Sequence, residues 1–269
     1  MIFASAVARP LVTSGCLLLL AVSAAGAGRA KSPSTAESLQ AFRVAPGLRV
    51  ELAAAEPEVV DPVAIAFDER RRLYVVENRG YPDPMDGKSA PAIGRVALLE
   101  DRDGDGRHET RREFATGLSY PNGVLPWRGG LIITCAPDVL FLKDNDGDGV
   151  ADERKVLLTG FATTGSTQLR VNAPTVGPWD GKIYLAAGLS GGTVTCPTHP
   201  ERPPLKMTSD IRFDPETLEV ELVDGKSQYG MSFDVFGNRF ICMNRVPVQH
   251  VVFDSKWLKR NPRLAFSET

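Results

Sequence analysis

Histidine is scarce in this 269-residue chain: His108, His199 and His250 are the full set. None has a partner at metal-ligand spacing, which argues against a histidine-built zinc site. Basic runs are missing too. Lys and Arg number 31 against 33 Asp and Glu, a net charge of −2 without a basic stripe, so nucleic acid is not an expected partner. There is no nucleophile elbow, Walker loop or dinucleotide fingerprint. Cysteine is sparse at four, of which Cys16 falls in the apolar leader; Cys135, Cys196 and Cys242 remain, an odd number that cannot pair fully. Cys196 sits in CPTH, one cysteine short of a haem-attachment motif, so no haem is expected in this chain.

The one long apolar run is at the start. Arg9 precedes the apolar stretch 11–25, and Ala25-Gly26-Ala27 fits a small-residue cleavage site. Residues 1–27 read as a signal peptide and 28–40 as a flexible lead-in. The expected location is periplasmic or extracellular, with no stable membrane span after cleavage.

Helical periodicity is nearly absent after the leader. Short β-rich runs alternate with Gly, Pro, Asp and Asn clusters, which predicts an all-β fold. A repeat is visible. Leu99, Asp101, Phe114 and Gly117 recur 43 residues later as Leu142, Asp144, Leu157 and Gly160. A second signature, an apolar strand, a turn and another strand, recurs around Tyr74, Ile133, Tyr184 and Ile241 at spacings of 59, 51 and 57 residues. Periods of this size suit four-stranded propeller blades. The expectation is a β-propeller over 41–269, with about four to five blades present and the C-terminus truncated.

Two acidic hairpin loops carry the first candidate site. Asp101, Asp103 and Asp105 occupy positions 1, 3 and 5 of a DxDxDG loop. Asp144, Asp146 and Asp148 repeat them, and Asp152 adds position 9. Alternate carboxylates in a tight loop converge on one point, a donor set suited to calcium. Position 12 is Arg112 or Lys155 instead of the glutamate of an EF-hand.

Polar residues at strand ends carry the second. Glu77, Asn78 and Arg79 follow LYVV, Arg170 and Asn172 precede the TVGPWDGKIYLAAG hairpin, Gln228 precedes GMSFD, and Asn244 and Arg245 follow RFICM. At equivalent places of successive blades such residues gather at one mouth of a central channel, a concave place that favours ligands.

The strings FRVAPGLRVELAAAEPEVVDPVAIAFDERRRLYVVENRGYP, LLEDRDGDG, FATGLSYPNGV, APDVLFLKDNDGDGVAD and GNRFICMNRVPVQHVV together resemble a planctomycete-type membrane-bound dehydrogenase family. Its propeller is similar to the soluble quinoprotein glucose/sorbosone dehydrogenases. The resemblance runs from about residue 41 to the end. It implies a six-bladed, TolB-like propeller, export, pyrroloquinoline quinone as cofactor, a sugar or alcohol as substrate and a c-type cytochrome domain or protein as electron partner. On it, Arg170 and Asn172 stand where the catalytic base belongs, and Glu77, Arg79, Gln228, Asn244 and Arg245 at the cofactor. The sequence departs from the pattern twice. QLRVNAPTVG holds no histidine, and GKSQYGMSFD places Ser227 and Gln228 where an Arg-Asn pair would anchor the quinone. A non-catalytic, calcium-stabilised propeller that binds glycans or a protein is the rival expectation, and an inactive gene fragment a third.

Overall fold

The computed structural model describes residues 32–81 and 92–265. The signal segment, with Cys16 and the cleavage site, lies outside them. Residues up to Leu48 form one unit and Arg49 onwards another. In the first, the stretch read as a lead-in contains a short helix, α1 (Thr35–Ala41). Ser34 and Glu37 form a capping box, which satisfies backbone N–H groups at the helix start.

The second unit is nearly all β. Its first sheet is β1 (Pro62–Phe67), β2 (Leu73–Glu77), β3 (Gly94–Glu100) and β4 (Thr110–Leu118), in that spatial order. Next come β5 (Gly123–Trp127), β6 (Gly130–Cys135), β7 (Asp138–Lys143) and β8 (Glu153–Phe161), then β9 (Asn172–Val176) and β10 (Ile183–Ala186). The excursion β11 (Gly192–Thr195) and β12 (Leu205–Met207) follows, then β13 (Ile211–Phe213), β14 (Val220–Leu222), β15 (Gly230–Phe233), β16 (Arg239–Cys242) and β17 (Gln249–Val251). Helix α2 (Ser255–Leu258) comes last. Four antiparallel sheets result. First strands β1, β5, β9 and β15 are successive neighbours, so each sheet presents its first strand to the inside of an arc. That is propeller architecture, with four blades among the described residues. The 43-residue echo superposes β3–loop–β4 on β7–loop–β8, and the second signature is the opening hairpin of every sheet.

Sheets with both faces covered read as continuous apolar runs, and period two sorts their side chains. Tyr74, Val76, Val96 and Leu98 face Leu131, Ile133, Leu140 and Leu142 of the second sheet. Leu73, Val75, Ala97 and Leu99 point the other way, under Ala54 and Val59. Ile132, Val139 and Leu158 turn from the second sheet towards Ile183, Leu185, Ile211 and Phe213 of the third.

The excursion was not foreseen. β11 leaves the third sheet and pairs with β8, the outer strand of the second, extending that sheet to six strands. Gly160 makes this possible. Its φ is +94°, and a Cβ there would overlap the Thr193 carbonyl. Gly117, its repeat partner, has the same left-handed backbone but an open side.

Register fixes two ends for each sheet. Pro62 pairs with Glu77 and Phe67 with Leu73; Glu100 pairs with Thr110. First strands therefore begin, and second strands finish, at one end, which we call the seam end. The first hairpin turn and the β3–β4 and β7–β8 loops lie at the other, the hairpin end.

Candidate functional site

Polar side chains at the seam end link the blades into one seam. Asn78, just past β2, donates to Asn122 Oδ1 at 3.4 Å, and Asn122 donates to the Thr167 carbonyl at 3.4 Å. Turned over, the Asn122 amide would instead donate to the Tyr120 and Pro121 carbonyls at 3.2 and 3.3 Å. Asn172 opens β9 and donates to the carbonyls of Arg170 and Gln228, both at 2.9 Å. Gln228 Oε1 accepts the Asn244 N–H at 3.1 Å. Asn244 in turn donates to Tyr229 Oη at 3.3 Å. Gly188 crosses beneath this point. A side chain there would overlap the Arg170 carbonyl and push the Arg170–Asn172 turn out of place.

Among the described residues, four buried neutral side-chain atoms in the seam have no hydrogen-bond partner: Asn78 Oδ1, Thr134 Oγ1, Thr167 Oγ1 and Asn172 Oδ1. Thr134 pairs with Gly123 across β5–β6, beside Asn122 and Ala173. The group therefore runs through three consecutive blades. Leaving such atoms dry costs about 1–3 kcal/mol each, so each calls for a water or a ligand hydroxyl.

Three of the charged candidates, Glu77, Arg79 and Arg170, are committed to protein partners. Glu77 is fully buried. It accepts the Val60 N–H at 3.0 Å and pairs with Arg111 at 2.6 Å and Arg79 at 2.9 Å. Burial pushes its carboxyl up, but the Arg111 bonds, the Val60 N–H and both guanidinium charges outweigh burial and hold it below the usual range. Arg170 is buried, donates to the Thr163 carbonyl at 2.7 Å and lies 4.7 Å over the Tyr120 ring. Arg245 is exposed. No histidine joins the seam. His108 is in the first acidic loop, His199 stands by Glu201 in the β11–β12 connection, and His250 stacks on Phe240 at 4.8 Å.

Sequence reasoning missed the buried group behind the seam. Asp210 accepts the N–H groups of Ala187 and Ser227 at 2.9 and 2.8 Å, the Ser227 hydroxyl, and Arg239 at 3.0 Å. It clamps the third sheet to the fourth. Ser227 is thereby consumed inside the protein.

The acidic loops lie at the hairpin end, away from the seam. In the first, Asp101 accepts the N–H groups of Gly104 and Gly106 at 2.7 and 2.9 Å. In the second, Asp144 accepts those of Gly147 and Gly149 at 2.6 and 2.9 Å. Asp101, Asp103 and Glu109 bring carboxylate oxygens within 4.8 Å of one another, as do Asp144, Asp146 and Asp152. Asp105 and Asp148 stand outside these groups and accept the N–H of Arg107 and Val150 at 2.7 and 2.8 Å. Glu109 was overlooked, although it lies 43 residues before Asp152. Backbone hydrogen bonds, led by the Gly106 N–H, hold Asp101 below its ordinary range; those from Asn145 do the same for Asp152. An all-oxygen donor set of this kind fits a hard cation.

The fold is similar to that of the holo pyranose dehydrogenase PQQ domain from Coprinopsis cinerea, at 16% identity and TM-score 0.50, over 78% of this chain and 51% of that one. The chain thus spans about half the length of that domain. It is also similar to a Xanthomonas campestris gluconolactonase (16% identity, TM-score 0.43, 72% and 57% covered). A third likeness is to a Trichoderma reesei Carbohydrate-Active Enzymes Family AA12 protein (15%, 0.38, 51% and 31%). No curated protein matches in sequence. Among the described residues no helix is long and apolar enough to cross a membrane. Residues 34–269 match the family described as Domain of unknown function (DUF7133), and the chain belongs to that family.

Proposed function

We propose that this propeller serves an exported oxidoreductase acting on a sugar or another polyhydroxylated alcohol, and that the seam end faces the substrate. The four unpartnered atoms of Asn78, Thr134, Thr167 and Asn172 carry the reading. They are neutral and spread over three blades, and neutral hydroxyl groups are the partners that suit them. The propeller shared with a pyranose dehydrogenase domain supports it. A c-type cytochrome domain or protein is the proposed electron partner.

Pyrroloquinoline quinone does not fit the described residues. The quinone is a polycarboxylate and needs several anchoring cations, yet Arg79 is bound by Glu77 and Arg170 serves the Thr163 carbonyl, which leaves only the exposed Arg245 among the candidate cations. Ser227 and Gln228 are held by Asp210 and the Asn244 N–H. Among the described residues the seam offers no free base for the substrate hydroxyl either, since Glu77 is locked in its ion pairs. The seam residues bind and orient, and no step is assigned to the quinone here.

Calcium fits the two carboxylate groups at the hairpin end. Their distance in the fold from the seam makes the ion a clamp on the β3–β4 and β7–β8 loops, not a participant in chemistry. This position also favours the second reading, a non-catalytic, calcium-stabilised propeller that binds glycans. Sugar-dependent dye reduction in the presence of calcium, measured with and without added pyrroloquinoline quinone, separates the two. Turnover lost in Asn172→Ala supports the oxidoreductase; sugar binding without turnover supports the second reading, and neither binding nor turnover removes both.

A further inference from the structure

The third and fourth sheets, with α2, flank a second, half-open site. Between them lies a cavity of about 710 Å³, the size of a small-molecule pocket. No seam residue named above lines it. Tyr184 on β10 forms part of its wall, edge-on to Phe233 of β15 at 5.0 Å. The guanidinium groups of Arg212 and Arg239 flank the same ring at 5.6 and 5.8 Å.

The acids on the wall are already engaged. Glu221 holds Arg212 at 2.9 Å and also pairs with Lys182. Asp224 accepts the Ser255 N–H at 2.8 Å, and Asp254 pairs with Lys256 at 2.7 Å. Two cations keep donors to spare. Arg239 is only 6% exposed and gives Nη1 to Asp210, whose oxygens are shared with two backbone N–H groups and the Ser227 hydroxyl. Its Nη2 lies on the Gly225 side, where Gly225 itself lines the cavity. Lys226 is half-buried on the same wall and forms no ion pair among the described residues. The second guanidinium nitrogen of Arg239 and the half-buried ammonium of Lys226 leave donors that an anion in the cavity can accept from. Ser209, Thr208 and Asn238 add neutral donors around them.

We infer that this cavity binds a small organic anion through a carboxylate or phosphate group, with Arg239 and Lys226 facing the charge and Tyr184 and Phe233 bounding its carbon skeleton. The site is independent of the seam and of the substrate proposed there.

The test is an NMR titration of the full chain with inorganic phosphate and, separately, with gluconate, against sodium chloride at matched ionic strength. Saturable shifts at the Gly225, Gly237 and Asn238 amides with phosphate or gluconate, and not with chloride, are expected. The tighter of the two names the group. Lys226→Gln should weaken binding about fivefold, the loss of one partly exposed charge contact. Shifts that only follow ionic strength, saturable shifts mapping elsewhere, or unchanged affinity in Lys226→Gln would overturn the site. Should that variant fail to fold, the wild-type shift map decides alone.

Discussion

Asp210 of the third blade and Arg239 of the fourth meet at 3.0 Å with both side chains out of water, at 0% and 7% exposure. Removing one partner strands the other as a buried charge. Asp210→Ala should cost about 3–5 kcal/mol, read from urea melts, and should loosen the fourth blade first in hydrogen exchange. A loss below about 1 kcal/mol would mean that Arg239 finds water or another acid.

The two buried carboxylates push stability in opposite directions with pH. Burial raises the Asp210 carboxyl, against the pull of the Ser227 hydroxyl and Arg239. Its contribution is therefore full below the ordinary aspartate value of about 3.9 and is lost as pH rises through the folded value. Asp210→Asn should remove that loss, measured as the pH slope of the unfolding free energy.

Glu77 behaves the other way. Held below its ordinary range, it contributes stability above about 4.3, and that contribution is lost as pH falls through the folded value. Glu77→Gln should cost about 2–3 kcal/mol at neutral pH and flatten the acid limb. An acid limb identical to wild type would show that Glu77 is not held by Arg111 and Arg79.

Chelation should lower the melting temperature, because an ion bound only to the folded state stabilises it by linkage, about 2.7 kcal/mol at a hundredfold excess over Kd. The geometry ranks the ligands. Glu109→Gln and Asp152→Asn should each weaken calcium binding more than Asp105→Asn or Asp148→Asn, as followed by calorimetric titration. The reverse order would place the ion elsewhere in the loops.

Gly117 and Gly160 share a left-handed backbone but differ in surroundings. Alanine at 117 should cost about 1–2 kcal/mol for the backbone alone. At 160 it should cost more, since the Cβ meets the Thr193 carbonyl and must part β11 from β8. Equal costs in thermal melts would argue against that pairing.

Much of the blade plan was legible because its signals are local. The 43-residue echo and the hairpins around Tyr74, Ile133, Tyr184 and Ile241 need only strand periodicity and turn residues. The β11–β12 excursion was not, since its partner β8 belongs to another sheet and only Gly160 hints at the close approach. The seam was half legible. Asn172 and Gln228 followed from their place in the repeat, whereas the inward commitment of Glu77 and Arg170 depends on burial and on partners far away in sequence. Asp210 carried no local mark at all. Glu109 did carry one, and extending the repeat by eight residues from Asp101 finds it.

The central claim is that the seam end binds a neutral polyhydroxylated ligand. An NMR titration of the purified chain with D-glucose and with glycerol tests it most directly. The account predicts saturable shifts in the side-chain amides of Asn78, Asn122 and Asn172, lost in Asn172→Leu while the fold is kept. No saturable shift with any sugar or polyol, or shifts confined to the hairpin end, would contradict it.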